Sequence, residues 1–510
     1  MRAEAIVRDR YDGAITGLTM VIGLVAIGIS FYLSVKYSGQ HILDQFAFRE
    51  TQTALTAFWL SRDGFKLAYE TPVVGAPWSI PFEFPIYQFI VSEISRIGGF
   101  NLEKVGRLVS YAFLLACLAP IALISKRLFP SSWRRPFWIF VSLFMSSPLY
   151  LYWGRSFMIE STALLFAIYF IYYSLALMQR DYRARNFVLA GVFLLLGMLQ
   201  KSTTMLPDLA IIGLVLLAAS KDQIGLRSKV MWQAIAAYGI AFGISYAWVK
   251  YSDLVKSKNI IGTLLTSDAL SKWNFGTIDG RLSKVLWIDT IWERMFVQNI
   301  AGFAGAGLIM FGLIFANPKI RIYSFTCLAI FLTHFMVFQN LHVVHTYYQT
   351  STGIFLIASL AIAIYGLSLR FAPLRFVIPI LILALVSSNL YWFSKVYLDS
   401  ERQPFGDDSS DIVVGNLIQE KTAPEKPIVV YGYDWSSEIA FFSHRKAMTV
   451  ARWFPNYYDF IDNPIRYVGE IPAAVIACGN ERTQELKDHV TQSFKPSEMV
   501  ATAACDIYFR

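Results

Sequence analysis

The stretch HILDQFAFRETQTALTAFWLSRDGF, residues 41–65, sets charged and amide side chains directly after an apolar run. That run, residues 14–35, is long enough to cross a bilayer, which takes roughly 20 apolar residues as a helix. Asp44, Arg49 and Glu50 therefore stand just beyond a membrane span. Ionisable groups at membrane depth are costly and usually functional. The stretch thus links a membrane fold to a candidate site.

The composition is that of a polytopic membrane protein. The chain has 510 residues, of which 55% are hydrophobic and 16% charged, whereas ordinary soluble domains are about 25% charged. The run 14–35 exceeds the length of a signal-peptide core and has no small-residue cleavage site after it. We therefore interpret it as a retained first span.

Eleven segments of the chain are predicted to cross the membrane. Each is mostly apolar, and most approach the length that a spanning helix needs. The fifth and sixth are short and are separated only by polar residues around Lys201. The predicted spans are 14–35, 105–125, 136–153, 160–178, 186–200, 205–220, 230–250, 295–316, 322–339, 345–367 and 374–395.

Basic residues orient these spans. With the N-terminus inside, the predicted inner loops hold 17 Lys and Arg and five acidic residues, as the positive-inside rule requires. The net charge of +9 is therefore a topology signal and does not indicate nucleic-acid binding. An odd number of spans places the tail outside, with long loops at 36–104 and 251–294. The inner basic residues are Arg2, Arg8, Arg10, Lys126, Arg127, Arg134, Arg135, Arg180, Arg183, Arg185, Lys221, Arg227, Lys229, Lys319, Arg321, Arg370 and Arg375.

After Tyr397 the composition changes to that of a water-soluble domain. β-branched and aromatic runs bounded by Gly and Pro are typical of strands, and amphipathic runs between them are typical of helices. This alternation predicts a small α/β domain. We divide the chain into a membrane domain, 1–397, which includes the first loop, and an external domain, 398–510. Predicted strands cover 426–435, 446–452, 471–479 and 505–510, and predicted helices cover 408–424 and 482–494.

The four cysteines allow one disulfide outside the membrane. Cys117 and Cys327 lie within predicted spans, whereas Cys478 and Cys505 adjoin predicted tail strands. Disulfides persist in oxidising compartments, and the sequence leaves open whether the two tail cysteines are joined. No Cys and His spacing typical of a structural zinc site occurs.

The first long loop presents acidic side chains from two separate segments. Apolar residues recur at helical spacing across 44–60, which is typical of a helix lying on the bilayer surface. In PFEFP, residues 81–85, two prolines bracket Glu83, and proline restricts the backbone on either side. We therefore expect Asp44 and Glu83 to be held at the membrane surface.

Four short motifs lie in the predicted outer loops or at the outer ends of the predicted spans. They are LDQFAFRETQ at 43–52, FEFP at 82–85, WGRSFMIES at 153–161 and HVVHTYYQTS at 342–351. Together with the layout of roughly residues 1–400, they resemble the GT-C glycosyltransferases that use polyprenyl-phosphate sugars. That superfamily includes bacterial aminoarabinose transferases, protein O-mannosyltransferases and lipopolysaccharide sugar transferases.

The motifs match the superfamily pattern in part. Asp44 matches its first acid, Arg49 and Glu50 match its Arg-Glu pair, and Glu83 matches the acid of Phe-Glu-Lys-Pro. Gln45 replaces the usual second acid, which weakens an acid pair that would hold a divalent metal. Phe84 replaces the Lys that contacts the lipid phosphate in the aminoarabinose enzymes, so the aminoarabinose substrate does not carry over with the motif.

The resemblance implies a sugar transfer by single displacement with inversion at the sugar carbon. Asp44 would be the general base that takes the proton of the acceptor hydroxyl, and Glu83 and Glu160 would orient the acceptor or the sugar. A positioned base typically contributes 10²–10⁴-fold. The side chains expected to bind substrate are Arg49, Glu50, Arg155, Lys201, His342, His345, Tyr347 and Tyr348.

The predicted partners follow from that reaction. They are a polyprenyl-phosphate sugar donor, an external glycan or lipid acceptor and the bilayer itself. A divalent cation is the one cofactor that the motifs leave open, and no metal ligand is assigned. The resemblance places the protein in a bacterial inner membrane, with the active site and the tail on the periplasmic side.

Two other functions are open to a polytopic membrane protein of this composition. A transporter or flippase of polyprenyl lipids would usually show repeated halves and ionisable residues near mid-membrane, whereas no repeat is apparent and the acids cluster towards the outer surface. A non-enzymatic scaffold or sensor would leave Asp44, Glu83 and Glu160 unexplained. The glycosyltransferase reading accounts for the acids, the span number and the tail together.

Overall fold

The computed structural model describes residues 2–219, 229–371, 373–398 and 406–510, with the side chains of 2–12, 219 and 374 excepted. The predicted inner-loop residues Lys221 and Arg227, and residues 399–405 of the predicted tail domain, lie outside these ranges. By contacts, the chain forms two compact units. The helical unit comprises Met1–Ser38, Arg107–Tyr246 and Lys272–Arg402, and the sheet unit comprises Gly39–Gly106, Ala247–Ser271 and Gln403–Arg510.

Helices dominate the chain. In the first half they are α1 Arg2–Tyr37, α2 Ala47–Asp63, α3 Ile86–Gly98, α4 Leu102–Ala116, α5 Leu118–Leu128, α6 Arg134–Ser146, α7 Pro148–Trp153, α8 Glu160–Met178, α9 Ala184–Ala219 and α10 Lys229–Lys256. In the second half they are α11 Ser271–Phe275, α12 Ile278–Leu282, a π-helix Val285–Val297, α13 Gln298–Ile300, α14 Phe303–Phe315, α15 Pro318–Val337, α16 Gln339–Val344, α17 Thr350–Arg370, α18 Leu374–Val396, α19 Ser410–Lys421, α20 Glu438–Ser443, α21 Asp459–Asp462, α22 Pro464–Val468 and α23 Gln484–Ser493. Short 3₁₀ turns cover Gly262–Leu265, Thr346–Gln349 and Gly479–Glu481.

The membrane character predicted from composition is confirmed. Within the described residues, eight helices are long and apolar enough to span a membrane, and one bent helix pair would make nine. Eleven spans were predicted, and the other two are present in the structure as shorter helices. Pro148 ends α6 and starts α7, so 136–153 is interrupted, because proline lacks the N–H that would continue the helix. The other is the second half of α9.

A turn at Lys201 divides α9 into two antiparallel halves. Lys201 is extended, with φ −161° and ψ 90°, between helical neighbours. Phe187 and Leu216 pack in one cluster, although a straight helix would hold them roughly 40 Å apart at 1.5 Å per residue. Met205 also packs against Gly197, where an added Cβ would lie 2.4 Å from the Met205 sulfur. The short fifth and sixth predicted spans are therefore two helices joined by a tight turn.

The predicted span 295–316 is shorter than expected. The segments Val285–Ile300 and Phe303–Phe315 meet at 89°. Ala301 and Gly302 both adopt positive φ at the junction, and such a conformation cannot continue a right-handed helix. Residues 285–300, most of which were expected in an external loop, instead form a helix that leads into the bend.

The centre of the helical unit is α17. Nearly all of its side chains are buried, in contact with α6, α14 and α15. Two buried serines join α15 and α17, since the hydroxyls of Ser324 and Ser359 lie 2.8 Å apart. The small side chains of Gly312 and Ala363 let α14 and α17 approach closely, because a Cβ on Gly312 would meet the Ala363 Cβ at 2.6 Å. Small residues at helix contacts are typical of membrane helix packing.

The sheet unit contains a five-stranded mixed sheet, as the tail pattern predicts. Its strands are β1 Ile428–Tyr431, β2 Ala447–Val450, β3 Ala474–Cys478, β4 Glu498–Ala501 and β5 Cys505–Phe509. Their order is β2-β1-β3-β5-β4, with β1 parallel to β2 and β3 and with β5 antiparallel to β3 and β4. The sequence missed β4, a short edge strand whose side chains are mostly exposed. Cys478 and Cys505 face each other across β3 and β5 and form a disulfide.

The first long loop extends this sheet. The backbone N–H groups of Ala447 and Thr449 donate to the carbonyls of Pro72 and Val73, at 3.0 and 2.8 Å, so the loop runs along the edge of β2. By contact, the loop therefore belongs to the same unit as the tail. The predicted division at residue 398 instead assigned the first long loop to the membrane domain. That division stays a prediction.

Helix α2 forms where the sequence indicates a helix, but its polar face does not meet water. Residues Glu50 to Ala57 are all buried. The hydroxyls of Thr51 and Ser437 lie 3.2 Å apart, and the Phe48 and Trp435 rings pack edge to face at 5.0 Å. Helix α2 was expected to lie on the bilayer surface. Instead, residues of the tail cover its polar side chains, which form hydrogen bonds within the sheet unit.

Glu438 makes the stability of the protein pH-dependent. Burial, reinforced by the nearby Asp411 carboxylate, raises the pKa of Glu438 to about 7. The native state therefore holds this proton more tightly than the unfolded chain, and the free energy of unfolding falls as pH rises from about 4.5 to 7. The full penalty is roughly 3 kcal/mol above that window.

We expect Glu438→Gln to raise the thermal unfolding midpoint of the full chain at pH 8 and to leave it near wild type at pH 4. Thermal scans in detergent at both pH values would measure this. Glu470→Gln is the control, because Glu470 pairs with Lys426 at an exposed position. An equal effect of Glu438→Gln at both pH values would contradict the assignment.

Candidate functional site

Glu83 lies in a fixed ion pair in the sheet unit. Arg49 NH2 donates to both carboxylate oxygens of Glu83, at 3.0 and 3.1 Å, and Gln88 Nε2 donates at 2.7 Å. Arg49 also donates to the side-chain oxygen of Gln52. The structure thus brings together two residues that the sequence singled out separately. With both oxygens engaged, Glu83 is better suited to orient a ligand than to take a proton.

The backbone around Glu83 is held as firmly as its side chain. The Tyr69 hydroxyl donates to the Glu83 carbonyl at 2.7 Å and accepts from the Phe82 N–H at 2.8 Å. Trp248 Nε1 donates to the Phe82 carbonyl at 3.3 Å, and its ring packs against Phe84 at 5.0 Å. These contacts hold the backbone of the PFEFP segment among aromatic side chains.

Asp44 and Glu50 belong to the same unit. Asp44 lies just before α2, with its carbonyl accepting from the Ala47 N–H at 3.2 Å. Asp44 is 8% exposed and Glu50 is fully enclosed. Phe46 adopts a left-handed conformation at the start of α2, which turns the chain between the two acids. Asp44 is therefore the more exposed of the two acids, although it too is buried.

A second cluster lies in the helical unit, around Lys201. The Lys201 ammonium donates to Glu160 Oε1 and lies 3.8 Å from the Tyr348 ring centroid and 5.3 Å from that of Tyr347. Lys201 and Glu160 side chains are 8% and 2% exposed. Glu160 is the first residue of α8, where a helix N-terminus favours an acid. Cation–π contacts of this kind strengthen as water is excluded.

Histidines complete the Lys201 cluster. The His345 ring stacks on Tyr347 at 5.2 Å and lies 6.2 Å from Trp273. His342 is fully buried, and neither ring nitrogen has a hydrogen-bond partner among the residues that the structure describes. Burial, with the positive charge of Lys201 as a lesser cause, lowers the pKa of His342 well below its usual value. His342 is therefore neutral and can donate through one nitrogen.

Arg155 is buried beside aromatic rings in the same unit. Its guanidinium carbon lies 5.3 Å from the Tyr37 ring centroid and 5.6 Å from that of Tyr152. Two further arginines of this unit, Arg281 and Arg294, donate to the backbone carbonyls of Met336 and Val343 at 2.7 and 2.9 Å. These two arginines therefore secure the chain between spans.

The sequence reasoning missed several buried polar residues. Gln88 bonds Glu83, and Lys256 lies 5.5 Å from the Phe82 ring centroid while pairing with Asp253 at 3.1 Å. Within the helical unit, Asp208 and His334 form a hydrogen-bonded pair. The sequence does carry a signal for Asp208 and His334, because each is an ionisable residue inside an apolar segment.

The described residues offer no ready metal site, because no three His, Cys, Asp or Glu side chains among them gather as ligands. The divalent cation that the motifs leave open therefore has no ligand set to which it can be assigned.

Comparison with known families gives one match in sequence. Residues 80–248 match the family model for dolichyl-phosphate-mannose-protein mannosyltransferase. That range includes Glu83, Arg155, Glu160 and Lys201. No curated protein sequence matches the chain.

Solved structures match over nearly the whole chain. ArnT from Cupriavidus metallidurans bound to undecaprenyl phosphate aligns with TM-score 0.62 and 14% identity, over 97% of this chain and 98% of ArnT. The oligosaccharyltransferase AglB from Archaeoglobus fulgidus, with an inhibitory peptide and a dolichol-phosphate, aligns with TM-score 0.52 and 12% identity, over 92% and 71%. The mycobacterial arabinofuranosyltransferase AftD aligns with TM-score 0.57 and 11% identity, over 96% of this chain and 39% of AftD.

At identities this low the structural matches establish the fold, and the family model adds a sequence match over the central motifs. The resemblance to the GT-C superfamily of polyprenyl-phosphate-sugar glycosyltransferases is confirmed by these two findings together.

Proposed function

We propose that this protein transfers a sugar from a polyprenyl-phosphate donor to a hydroxyl group of a glycan or lipid acceptor. The observation that carries the proposal is the Lys201 cluster. A lysine ammonium, 8% exposed and held by Glu160, sits at the helix break in α9. Lysine is a common point-charge partner for phosphate, and a lipid phosphate is an anion that can reach a unit built of membrane-spanning helices. ArnT, whose fold this chain shares, was solved with undecaprenyl phosphate bound.

The leaving phosphate would be stabilised by groups of the helical unit. Transfer breaks the bond between the sugar carbon and the phosphate oxygen, so negative charge develops on that oxygen. Preorganised donors at a developing charge are often the largest catalytic contribution. In this proposal, Lys201 and Arg155 supply positive charge, His342 donates a hydrogen bond, and the Tyr347 and Tyr348 rings lie beside the ammonium.

Asp44 would act as the general base. It takes the proton of the acceptor hydroxyl as that oxygen attacks the sugar carbon from the face opposite the phosphate. One bond forms as the other breaks, so the configuration at the sugar carbon inverts. Glu83, held by Arg49 and Gln88, orients the acceptor or the sugar, and Glu50 supports α2 beside Asp44.

We place the reaction on the periplasmic side of a bacterial inner membrane. Two observations support this orientation. The 17 basic residues of the predicted inner loops follow the positive-inside rule. The Cys478–Cys505 disulfide is typical of an oxidising compartment, and it lies in the sheet unit with Asp44 and Glu83.

The test is a transfer assay with the purified full chain in proteoliposomes. The donors are undecaprenyl phosphates carrying different hexoses and pentoses, the acceptors are membrane glycolipids and glycans, and each reaction is run with and without EDTA. Mass spectrometry would identify the product, and NMR of the new linkage would give its configuration. We expect transfer from one donor class, with inversion.

The same liposomes separate the proposal from a transporter. Movement of the lipid-linked sugar between leaflets, without transfer to any acceptor in the panel, would contradict the glycosyltransferase proposal. Loss of transfer with EDTA would show a metal requirement that the described side chains do not explain.

A further inference from the structure

We infer that Asp208, His334 and Ser351 form a buried chain of positioning residues that fixes Tyr348 beneath the Lys201 ammonium. His334 Nε2 lies 3.0 Å from Asp208 Oδ1, and His334 Nδ1 lies 3.2 Å from the Ser351 hydroxyl. The Ser351 hydroxyl in turn donates to the Tyr348 carbonyl at 2.8 Å. The inference rests on the proposed role of Lys201 in binding the donor phosphate.

The chain is enclosed in an apolar setting. Asp208 and His334 are fully buried and Ser351 is 5% exposed. Asp208 comes from the second half of α9, His334 from α15 and Ser351 from α17. An ionisable pair in such a setting is costly unless its members compensate each other. Asp208 and His334 meet part of this cost by hydrogen-bonding to each other at 3.0 Å.

Both ends of this hydrogen-bonded chain are connected to Lys201. Tyr348, at one end, places its ring centroid 3.8 Å from the Lys201 nitrogen. Asp208, at the other end, lies two turns along the same helical half that begins at the Lys201 turn. The contacts therefore connect α9, α15 and α17 around one ammonium group. A shift of any of these helices would move the cation relative to its ring.

The arrangement contains the residue types of a nucleophilic triad, but its geometry serves a different purpose. In a serine nucleophile the hydroxyl faces substrate and gives its proton to the histidine. Here the Ser351 hydroxyl is enclosed, donates to the Tyr348 backbone carbonyl and lies 3.2 Å from His334 Nδ1. These three residues can therefore hold the turn that contains Tyr348 in place, but Ser351 cannot attack a substrate.

Ser359 offers a closely matched control variant. Ser359 lies two turns further along α17 and, like Ser351, makes a buried hydrogen bond to α15, with Ser324 at 2.8 Å. Ser351→Ala and Ser359→Ala thus each remove one buried hydroxyl contact between the same two helices. A purely structural role predicts similar effects of both, roughly the loss of one net hydrogen bond in stability.

The test is binding of undecaprenyl phosphate to the full chain in detergent, with the thermal midpoint recorded for every variant. We expect Ser351→Ala to weaken binding about tenfold or more, and Ser359→Ala to leave it within about twofold of wild type at a similar thermal midpoint. Asp208→Asn, which keeps the shape of the carboxylate, should weaken binding in the same direction. In the transfer assay, the loss should appear in KM for the donor before kcat.

The outcomes distinguish this inference from the function on which it rests. Wild-type protein that does not bind undecaprenyl phosphate would overturn both. Binding that is lost in Lys201→Gln but retained in both Ser351→Ala and Asp208→Asn would overturn the positioning chain alone. Equal weakening by Ser351→Ala and Ser359→Ala would also overturn it. If Ser351→Ala does not fold, Ser351→Cys keeps the volume and takes its place.

Discussion

Replacing Asp44 by Asn should reduce the rate of sugar transfer by about 10²–10⁴-fold, the usual contribution of a positioned general base. Asn has nearly the same shape as Asp but cannot accept the proton of an acceptor hydroxyl. Asp44 is buried at 8% exposure, so the nearly isosteric Asn should fit the same space. Initial rates from the transfer assay, compared at saturating donor, would measure the effect in kcat.

The control is Asp63→Asn at the other end of α2. Asp63 pairs with Lys66 at 3.8 Å on a more open surface, and its replacement should leave transfer near wild type. The thermal midpoint and the donor affinity of Asp44→Asn should also remain near wild type, because the base acts on the acceptor. Full activity of Asp44→Asn would end the assignment of Asp44 as base.

The fold could be predicted from sequence wherever a local pattern determines the element. Apolar runs of sufficient length predicted the membrane helices, and β-branched runs bounded by Gly and Pro predicted four of the five tail strands. The fifth, β4, is short, and its side chains are mostly exposed, so it carries no buried alternation to detect. The 89° bend before Phe303–Phe315 depends on positive φ at Ala301 and Gly302, which composition does not reveal.

Contacts between distant segments could not be predicted in the same way. Arg49 and Glu83 lie 34 residues apart in sequence, and Glu160 and Lys201 lie 41 apart. The motifs indicated that these residues matter, but only the folded chain pairs them. Likewise, the polar face of α2 looked as if it should meet water, because nothing in 44–60 shows that Ser437 and Trp435 will cover it.

The buried pair of Asp208 and His334 lies within predicted spans and was not among the site residues expected from the sequence. His334 stands inside a predicted span and Asp208 near the start of another, and neither belongs to one of the four motifs. In a low-dielectric interior, an ionisable side chain is a functional candidate by default. The structure shows that these residues compensate each other at 3.0 Å, which explains how α9 and α15 tolerate them.

Replacing Lys201 by Met should have two separable consequences. Removing the ammonium leaves Glu160 buried without its cation, which should destabilise the protein by about 3–5 kcal/mol. It also removes the positive charge proposed for the donor phosphate, which should lower kcat/KM for the donor by roughly 10²–10³-fold, in line with loss of one buried charge partner. Thermal scans and steady-state kinetics on the same preparation would measure both.

The double variant Lys201→Met with Glu160→Gln separates these effects. It removes both members of the pair, so no buried charge is left unpaired, and replacement of a buried ion pair by neutral groups is often tolerated. We therefore expect the double variant to recover most of the lost stability while transfer and undecaprenyl phosphate binding remain impaired. Lys201→Arg keeps the charge and should retain part of the binding. If transfer recovers together with stability in the double variant, Lys201 serves the fold and does not contact the donor phosphate.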